Sequence, residues 1–230
     1  MRRLRTWFLV VLFALAMAWV ESAVVYYLRT LVGRIDPYQP DPLPITGGLG
    51  QAELVRELAT LVMLFTVGTL AGQSWRSRVG YFLIAFGVWD LAYYVFLKLM
   101  AGWPNSLQDW DVLFLLPLPW WGPVLAPMLI ALLMLGGGTL LSLFDERQQP
   151  LWPRNSCVAL SLVGASLALY VFMADTIGAV PHGIETIRHV LPTHFNWPLY
   201  FTALMLMVAP ILDLIQQIGR RSKGSLGCFK

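Results

Sequence analysis

The sequence has little charge and almost no cysteine. Of its 230 residues, 13% are charged, 57% are hydrophobic and only two are Cys. Soluble domains carry about 25% charged residues, so this shortage argues against most soluble enzymes and against a disordered chain. Two cysteines cannot build a disulfide-rich scaffold. No hydrophilic stretch is long enough for a separate soluble domain, so we predict one membrane-embedded domain over residues 1–230.

Several motifs are also missing. The chain has no Cys-x-x-Cys, no Asp-rich prenyl-diphosphate motif and no pair of histidines within an apolar stretch. These absences argue against disulfide-generating membrane proteins, prenyltransferases and cytochrome subunits that bind b-type haem. The net charge of +3 does not indicate nucleic-acid binding, because the basic residues cluster beside apolar stretches, as they do in membrane proteins.

Long apolar stretches dominate what is present. About 20 apolar residues are needed for a helix to cross the hydrocarbon core of a bilayer. Six stretches meet this length, and they predict an all-α bundle of six transmembrane helices in a lipid bilayer. The predicted spans are residues 7–32, 52–73, 79–101, 120–143, 156–174 and 197–219.

The basic residues predict the orientation of these spans. Arginines lie in residues 2–5, 74–78 and 144–155, and arginines and a lysine lie in 220–223, whereas the intervening loops are acidic or mixed. Cytoplasmic loops of membrane proteins carry the excess of Lys and Arg. We therefore expect a multi-pass protein of the cell inner (plasma) membrane with both termini in the cytoplasm. Cys157 and Cys228 then face the cytoplasm, where a structural disulfide is not expected.

The N-terminus also has the features of a secretory signal peptide. Basic residues, an apolar run and Ala16-Met17-Ala18 match its three regions. The apolar character continues past Glu21 to Leu28, however, which is too long for such a peptide. We expect an uncleaved helix, and the alternative is that residues 1–18 are cleaved off as a signal peptide.

Ionisable residues lie inside the first three spans, among them Glu21, Glu53, Arg56, Glu57, Asp90 and Lys98. A charge at the centre of a membrane helix costs roughly 2.5–3.5 kcal/mol on insertion scales, and such residues usually serve a function. Asp213, near the end of the last span, is expected instead to pair with Arg220 or Arg221.

Helical spacing suggests a shared acidic site. Glu53 and Glu57 are four residues apart and share a helix face, and Tyr94 lies four residues after Asp90. With the predicted orientation, Glu21, Glu57 and Asp90 fall in the outer half of the membrane or near its middle. We expect these three acids to form an outward-facing site that binds a cation or relays protons, with Arg56 and Tyr94 setting their protonation. The alternative is that the charges pair with one another only to specify helix packing.

All three histidines lie in one predicted outer loop, residues 175–196. Carboxylates and imidazoles together bind zinc, iron or manganese. A divalent metal held by Glu57, Asp90, His182, His189 and His194 is therefore one hypothesis. The spacing gives little support, because neither His-x-x-x-His nor Glu-x-x-His occurs, and solvated histidines are the alternative.

The segment from Asp111 to Pro123 contains three prolines and cannot be a regular helix. Irregular backbone at membrane depth requires protein or a wet cavity beside it. The segment, with Asp109 and Asp111, is predicted either to fold over the acidic site as a lid or to form an interfacial loop. Tryptophans at span boundaries, among them Trp103, Trp120 and Trp121, are predicted to anchor the chain at the headgroup layer.

Three runs of residues resemble segments of known proteins. They are residues 53–64, the motif Phe86-Gly87-Val88-Trp89-Asp90, and residues 109–115. These runs resemble a group of small bacterial polytopic membrane proteins to which no function is attached. The resemblance covers most of residues 15–145 and implies no activity, cofactor or catalytic residue.

Two functions of different classes follow from the sequence, and neither decides whether the chain is an enzyme. The first is the acidic cation or proton site. The second is a non-catalytic integral subunit that anchors or assembles a larger membrane complex, or forms a homo-oligomer, with a contact face around the glycine-rich fourth span. A lipid-modifying enzyme that uses Asp109 and Asp111 is a third and weaker hypothesis.

Overall fold

The computed structural model describes residues 2–40, 47–145 and 150–227, with only the backbone described for residue 47 and for 222–227. Cys228 lies outside these residues. Helices predominate, and one two-stranded hairpin interrupts them. The elements are α1 (Arg2–Leu31), α2 (Gly47–Ala71), α3 (Trp75–Ala101), β1 (Trp110–Phe114), β2 (Trp120–Pro123), α4 (Leu125–Phe144), α5 (Asn155–Ala179), a 3-10 turn (Val180–His182), α6 (Ile184–Arg188) and α7 (Trp197–Gly227).

Within the described residues, six of the helices, all except α6, are long and apolar enough to span a membrane. This confirms the number and approximate position of the predicted spans. The first helix is continuous from Arg2 to Leu31 and runs through Ala16-Met17-Ala18 without a break.

The prediction for the start of the fourth span is wrong. Residues 120–123 form β2, which pairs antiparallel with β1, and α4 begins only at Leu125. The apolar run continues across this boundary, so hydropathy alone predicted a single helix over both the strand and the start of α4. The prolines at 117, 119 and 123 account for the break, because proline removes a helical donor and restricts the residue before it. The fold is therefore helical with a hairpin, and not purely α.

Helix α3 lies at the centre of the first half of the chain. Helices α1, α2 and α4 pack against it, around a core that includes Ala14, Leu64, Ile84 and Ala85. Close approach of α3 to α4 depends on glycine. A Cβ on Gly138 would lie 2.5 Å from the carbonyl oxygen of Gly80, so no larger residue fits without displacing a helix.

Helices α5 and α7 form a second pair, which α4 and the hairpin connect to the first half. Phe172, Phe195 and Tyr200 centre their shared core. In this core Tyr200 donates to the carbonyl oxygen of Ala126 at the start of α4. The glycine-rich part of α4 therefore packs within the chain: Gly138 lies against α3, and Gly137 lies against α7.

Buried aspartates hold the connections at the opposite end of the bundle from the hairpin. Asp145 accepts from Ser74, the N-cap of α3, at 2.6 Å and from the backbone N–H of Leu151 at 3.1 Å. Asp213 accepts from the backbone N–H of Arg154 at 2.9 Å and lies 3.5 Å from its side chain. The structure thus gives Asp213 an arginine partner at the start of α5, and not the predicted Arg220 or Arg221.

Candidate functional site

A cavity of about 560 Å³ extends along the inside of the bundle. Residues of α1 to α5, of α7 and of the hairpin line it. At one end it reaches Glu21, Arg56 and Asp90, and at the other it reaches Trp152 and Leu214. The lining residues run from Pro127 to Leu141 of α4 and from Val158 to Phe172 of α5, so the cavity follows most of the length of these two helices.

Among the described residues, the charged side chains that line the cavity lie at one end of it, which we call the charged end. Five carboxylates and three arginines line it: Glu21, Glu53, Glu57, Asp90, Asp111, Arg29, Arg34 and Arg56. The predicted residues Glu21, Glu57, Asp90, Arg56 and Tyr94 all border this one space. Three helices and the hairpin contribute to it, so tertiary packing brings together acids that are far apart in sequence.

Arg56 bridges α1 and α2 by serving two carboxylates. Its guanidinium contacts Glu21 on α1 and forms an ion pair with Glu53 at 2.8 Å, one helical turn earlier on α2. Thr60 donates to the second oxygen of Glu21 at 3.2 Å. Both acids are more than nine-tenths buried, and the one arginine that they share offsets only one of their two charges.

Glu57 binds the hairpin and has no ion-pair partner in the described part of the chain. The backbone N–H of Leu115 donates to both of its carboxylate oxygens, at 3.0 and 2.9 Å. This contact fixes the end of β1 against α2. The structure therefore places the Pro-rich segment beside Glu57, and whether the segment acts as a lid stays a prediction.

Asp111 and Arg29 form a second ion pair, which sequence reasoning missed. Their side chains are 2.6 Å apart, Asp111 is 1% exposed, and the guanidinium lies 4.3 Å from the centre of the Trp103 ring. Burial raises the pKa of the Asp111 carboxyl, although Arg29 and the hydrogen bond from Val112 act in the opposite direction. Nothing local to Arg29 indicates this pairing, because its partner lies 82 residues away.

Asp90 differs from the other acids at the charged end. It makes no hydrogen bond or ion pair with any residue that the structure describes, and it borders the cavity on the same helix as Tyr93 and Tyr94. The nearby carboxylate of Asp111 is already paired with Arg29. Asp90 is thus the carboxylate that remains available to a ligand or a proton.

Aromatic rings surround this part of the cavity. Trp89 lies 6.3 Å from Phe114, Phe114 lies 5.2 Å from Trp120, and Trp120 stacks on Phe172 at 6.5 Å between ring centres. All four rings line the cavity. They form a continuous wall from α3, the helix that carries Asp90, across the hairpin to α5.

The predicted headgroup anchors are partly inside the protein. Trp103 and Trp121 are each 2% exposed, because the hairpin folds inward over the ends of α1 and α3. Asp109 lies at the outer surface of this region, where it accepts from Asn105 and Ser106. Partial burial acts to raise the pKa of Asp109, but these hydrogen bonds outweigh it and lower the pKa. Asp109 holds a turn and does not line the cavity.

The histidines do not join the acids. His182, His189 and His194 are exposed and none lines the cavity, and His189 lies 3.2 Å from Glu185 on its own short helix. Within the described ranges, no three His, Cys, Asp or Glu side chains converge as a metal site would require. The structure thus does not assemble the predicted metal set, although Glu57 and Asp90 share the cavity.

Comparison with known proteins adds no relative. No protein-family model, curated protein or solved structure matches this chain. The resemblance of residues 15–145 to small bacterial membrane proteins stays an expectation, and no activity, cofactor or site residue comes from a relative.

Proposed function

We propose that this chain is an integral protein of the plasma (inner) membrane that binds a cation, or relays protons, at the charged end of its cavity. Six helices cross the bilayer, both termini lie in the cytoplasm, and the charged end opens toward the outside. The observation that carries this proposal is Asp90, an acid within a membrane-spanning helix that borders a cavity and has no partner among the described residues. Intramembrane acids are costly and commonly mark ion or proton pathways.

The surrounding charges support a cation over an anion. Arg56 is shared by Glu21 and Glu53, and Arg29 is paired with Asp111. Neither Glu57 nor Asp90 forms an ion pair in the described residues, although Arg56 also attracts Glu57 electrostatically. The charged end therefore favours positive charge, or a proton, next to Asp90.

Infrared difference spectroscopy on the purified protein tests this proposal. The Asp90 carboxyl should change its protonation reversibly when pH or the concentration of a small cation, tetramethylammonium, is varied. That signal should vanish in Asp90→Asn and persist in Asp175→Asn, since Asp175 is exposed and does not line the cavity. A wild-type protein without any signal that depends on Asp90 would overturn the proposal.

Cysteine labelling tests the orientation. In a chain with Cys157 and Cys228 replaced by Ser, an impermeant maleimide added to intact cells should label Gln108→Cys. It should label Gln73→Cys only after the membrane is opened. Both residues are exposed and lie in connections at opposite ends of α3. The reverse pattern would overturn the proposed topology.

The non-catalytic subunit gains no specific observation from the structure. Its expected contact face was the glycine-rich part of α4, and Gly137 and Gly138 pack there against α7 and α3 of the same chain.

A further inference from the structure

The cavity is much larger than its charged end. Beyond Asp90 its walls are mostly aliphatic side chains contributed by four helices, among them Leu83, Ile130, Met134, Leu169, Met207 and Leu214. Apolar walls offer no ligands to a hydrated metal ion, which needs several oxygens in its coordination shell. A small ion would occupy only the charged end and would leave most of about 560 Å³ unused.

The residues that line the cavity change in character from one end to the other. An unpartnered carboxylate and four aromatic rings lie toward one end, and mostly aliphatic residues, with Phe86 and Trp152, line the rest. Aromatic faces attract amines and quaternary ammonium groups through their quadrupole, and the attraction grows when water is excluded. Aliphatic walls favour an apolar body, because burial removes that body from water.

We propose that this cavity binds a lipophilic monovalent cation, with the cationic group against Asp90 and the aromatic wall and with the apolar body in the aliphatic part. This inference rests on the proposed cation site and deepens it by naming the class of ligand. Trp89, Phe114 and Trp120 contact the cationic group. Residues of α5 that face the cavity, among them Ala165 and Leu169, contact the apolar body.

Binding of tetraphenylphosphonium tests the inference in full-length protein held in nanodiscs of a zwitterionic lipid. Equilibrium dialysis with the labelled cation should give saturable binding. Affinity should fall at least about tenfold in Asp90→Asn. Triphenylphosphine oxide, an uncharged compound with similar rings, should bind at least about tenfold more weakly than the cation. Equal affinity for the two compounds, or an affinity for the cation that Asp90→Asn leaves unchanged, would overturn the role of the charge.

A matched pair of substitutions on α5 tests the apolar part. Ala165→Phe fills the cavity and should weaken tetraphenylphosphonium binding at least about tenfold. Ser166→Phe adds the same ring at the next position, which is exposed and does not line the cavity, and should leave binding unchanged. Equal effects of the two substitutions, or none from Ala165→Phe, would overturn the placement of the apolar body. If Ala165→Phe fails to fold, Leu169→Trp makes the same test from the next turn of α5.

Failure of the inference is distinguishable from failure of the proposed function. Ala165→Phe should leave the infrared signal of Asp90 with tetramethylammonium intact. If Asp90 responds to tetramethylammonium while tetraphenylphosphonium does not bind, the small-cation site stands and the lipophilic ligand is wrong. If Asp90 responds to neither cation and to no change of pH, both are wrong.

Discussion

The backbone N–H of Leu115 donates to both carboxylate oxygens of Glu57, at 3.0 and 2.9 Å. The two residues belong to different elements, the end of the hairpin and the middle of α2, and lie 58 residues apart. Glu57 is 6% exposed, so the contact is largely buried. Together with the Arg29–Asp111 pair, it holds the hairpin through a carboxylate that makes no ion pair in the described residues.

Glu57→Ala should loosen the hairpin. It leaves the Leu115 N–H without its acceptor, which costs about 1–3 kcal/mol in the free energy of unfolding for a buried donor. Glu57→Gln keeps a carbonyl acceptor and should cost less. Hydrogen–deuterium exchange of residues 110–123 should accelerate in the alanine variant and change little in Glu185→Ala, where the glutamate side chain is 75% exposed. Unchanged exchange in Glu57→Ala would contradict this role.

Breaking the Arg29–Asp111 pair should be among the most destabilising single changes. Arg29→Ala or Asp111→Ala leaves the opposite charge buried and unpaired, which costs about 3–5 kcal/mol. The double variant should cost clearly less than the sum of the two, because no lone charge remains. SDS titration in mixed micelles measures these free energies of unfolding.

The exposed pair Arg188–Glu185 is the control for that cycle. Its side chains are 47% and 75% exposed and 3.5 Å apart. Such a surface pair contributes only about 0–1 kcal/mol. Additive losses at Arg29 and Asp111 would show that the two charges do not depend on each other.

Arg56→Gln should destabilise the contact of α1 with α2. It leaves Glu21 and Glu53 buried together without their shared cation. We expect a loss of about 2–3 kcal/mol, below the range for a fully buried pair because the Arg56 side chain is 21% exposed. Adding Glu21→Gln and Glu53→Gln should restore most of the loss, since the repelling charges are then gone. The same SDS titration checks this, and a triple variant less stable than Arg56→Gln would refute the charge argument.

Gly138→Ala should weaken the packing of α4 on α3. A Cβ there would lie 2.5 Å from the Gly80 carbonyl oxygen, and such overpacking typically costs about 1–3 kcal/mol. Gly136→Ala, two residues earlier, meets no atom within 4 Å and should be neutral or stabilising, since alanine favours a helix by up to about 1 kcal/mol over glycine. Thermal unfolding in detergent separates the two variants, and equal stability of both would contradict the close approach.

Local patterns were enough to find the six long helices. A span needs about 20 consecutive apolar residues, and that requirement is satisfied or not within one stretch of chain. The same locality explains the error at residues 120–124, where an apolar strand runs directly into an apolar helix. The prolines gave the correct indication that the segment is not helical, but strand pairing with residues 110–114 is not visible in hydropathy.

Candidate residues were found more easily than their partners. Glu21, Glu57 and Asp90 stand out in sequence because acids are rare in apolar stretches, and all three border one cavity. The pairing of Arg29 with Asp111, and the binding of Glu57 to a backbone amide, join segments that no local rule connects. For the histidines, position in the sequence was misleading. Because all three lie in one loop, they suggested a metal site with the acids, and the structure does not bring these side chains together.

The sequence by itself determined which segments are helices long enough to cross a membrane and which acids lie within them, because both properties follow from the residues of one short stretch. Only the tertiary structure decided which of those acids are compensated. Glu21, Glu53 and Asp111 each contact an arginine side chain. Glu57 accepts hydrogen bonds from a backbone amide, and Asp90 borders the open cavity. The physical reason is that the cost of a buried charge depends on what packs against it, and packing is settled by contacts between distant parts of the chain.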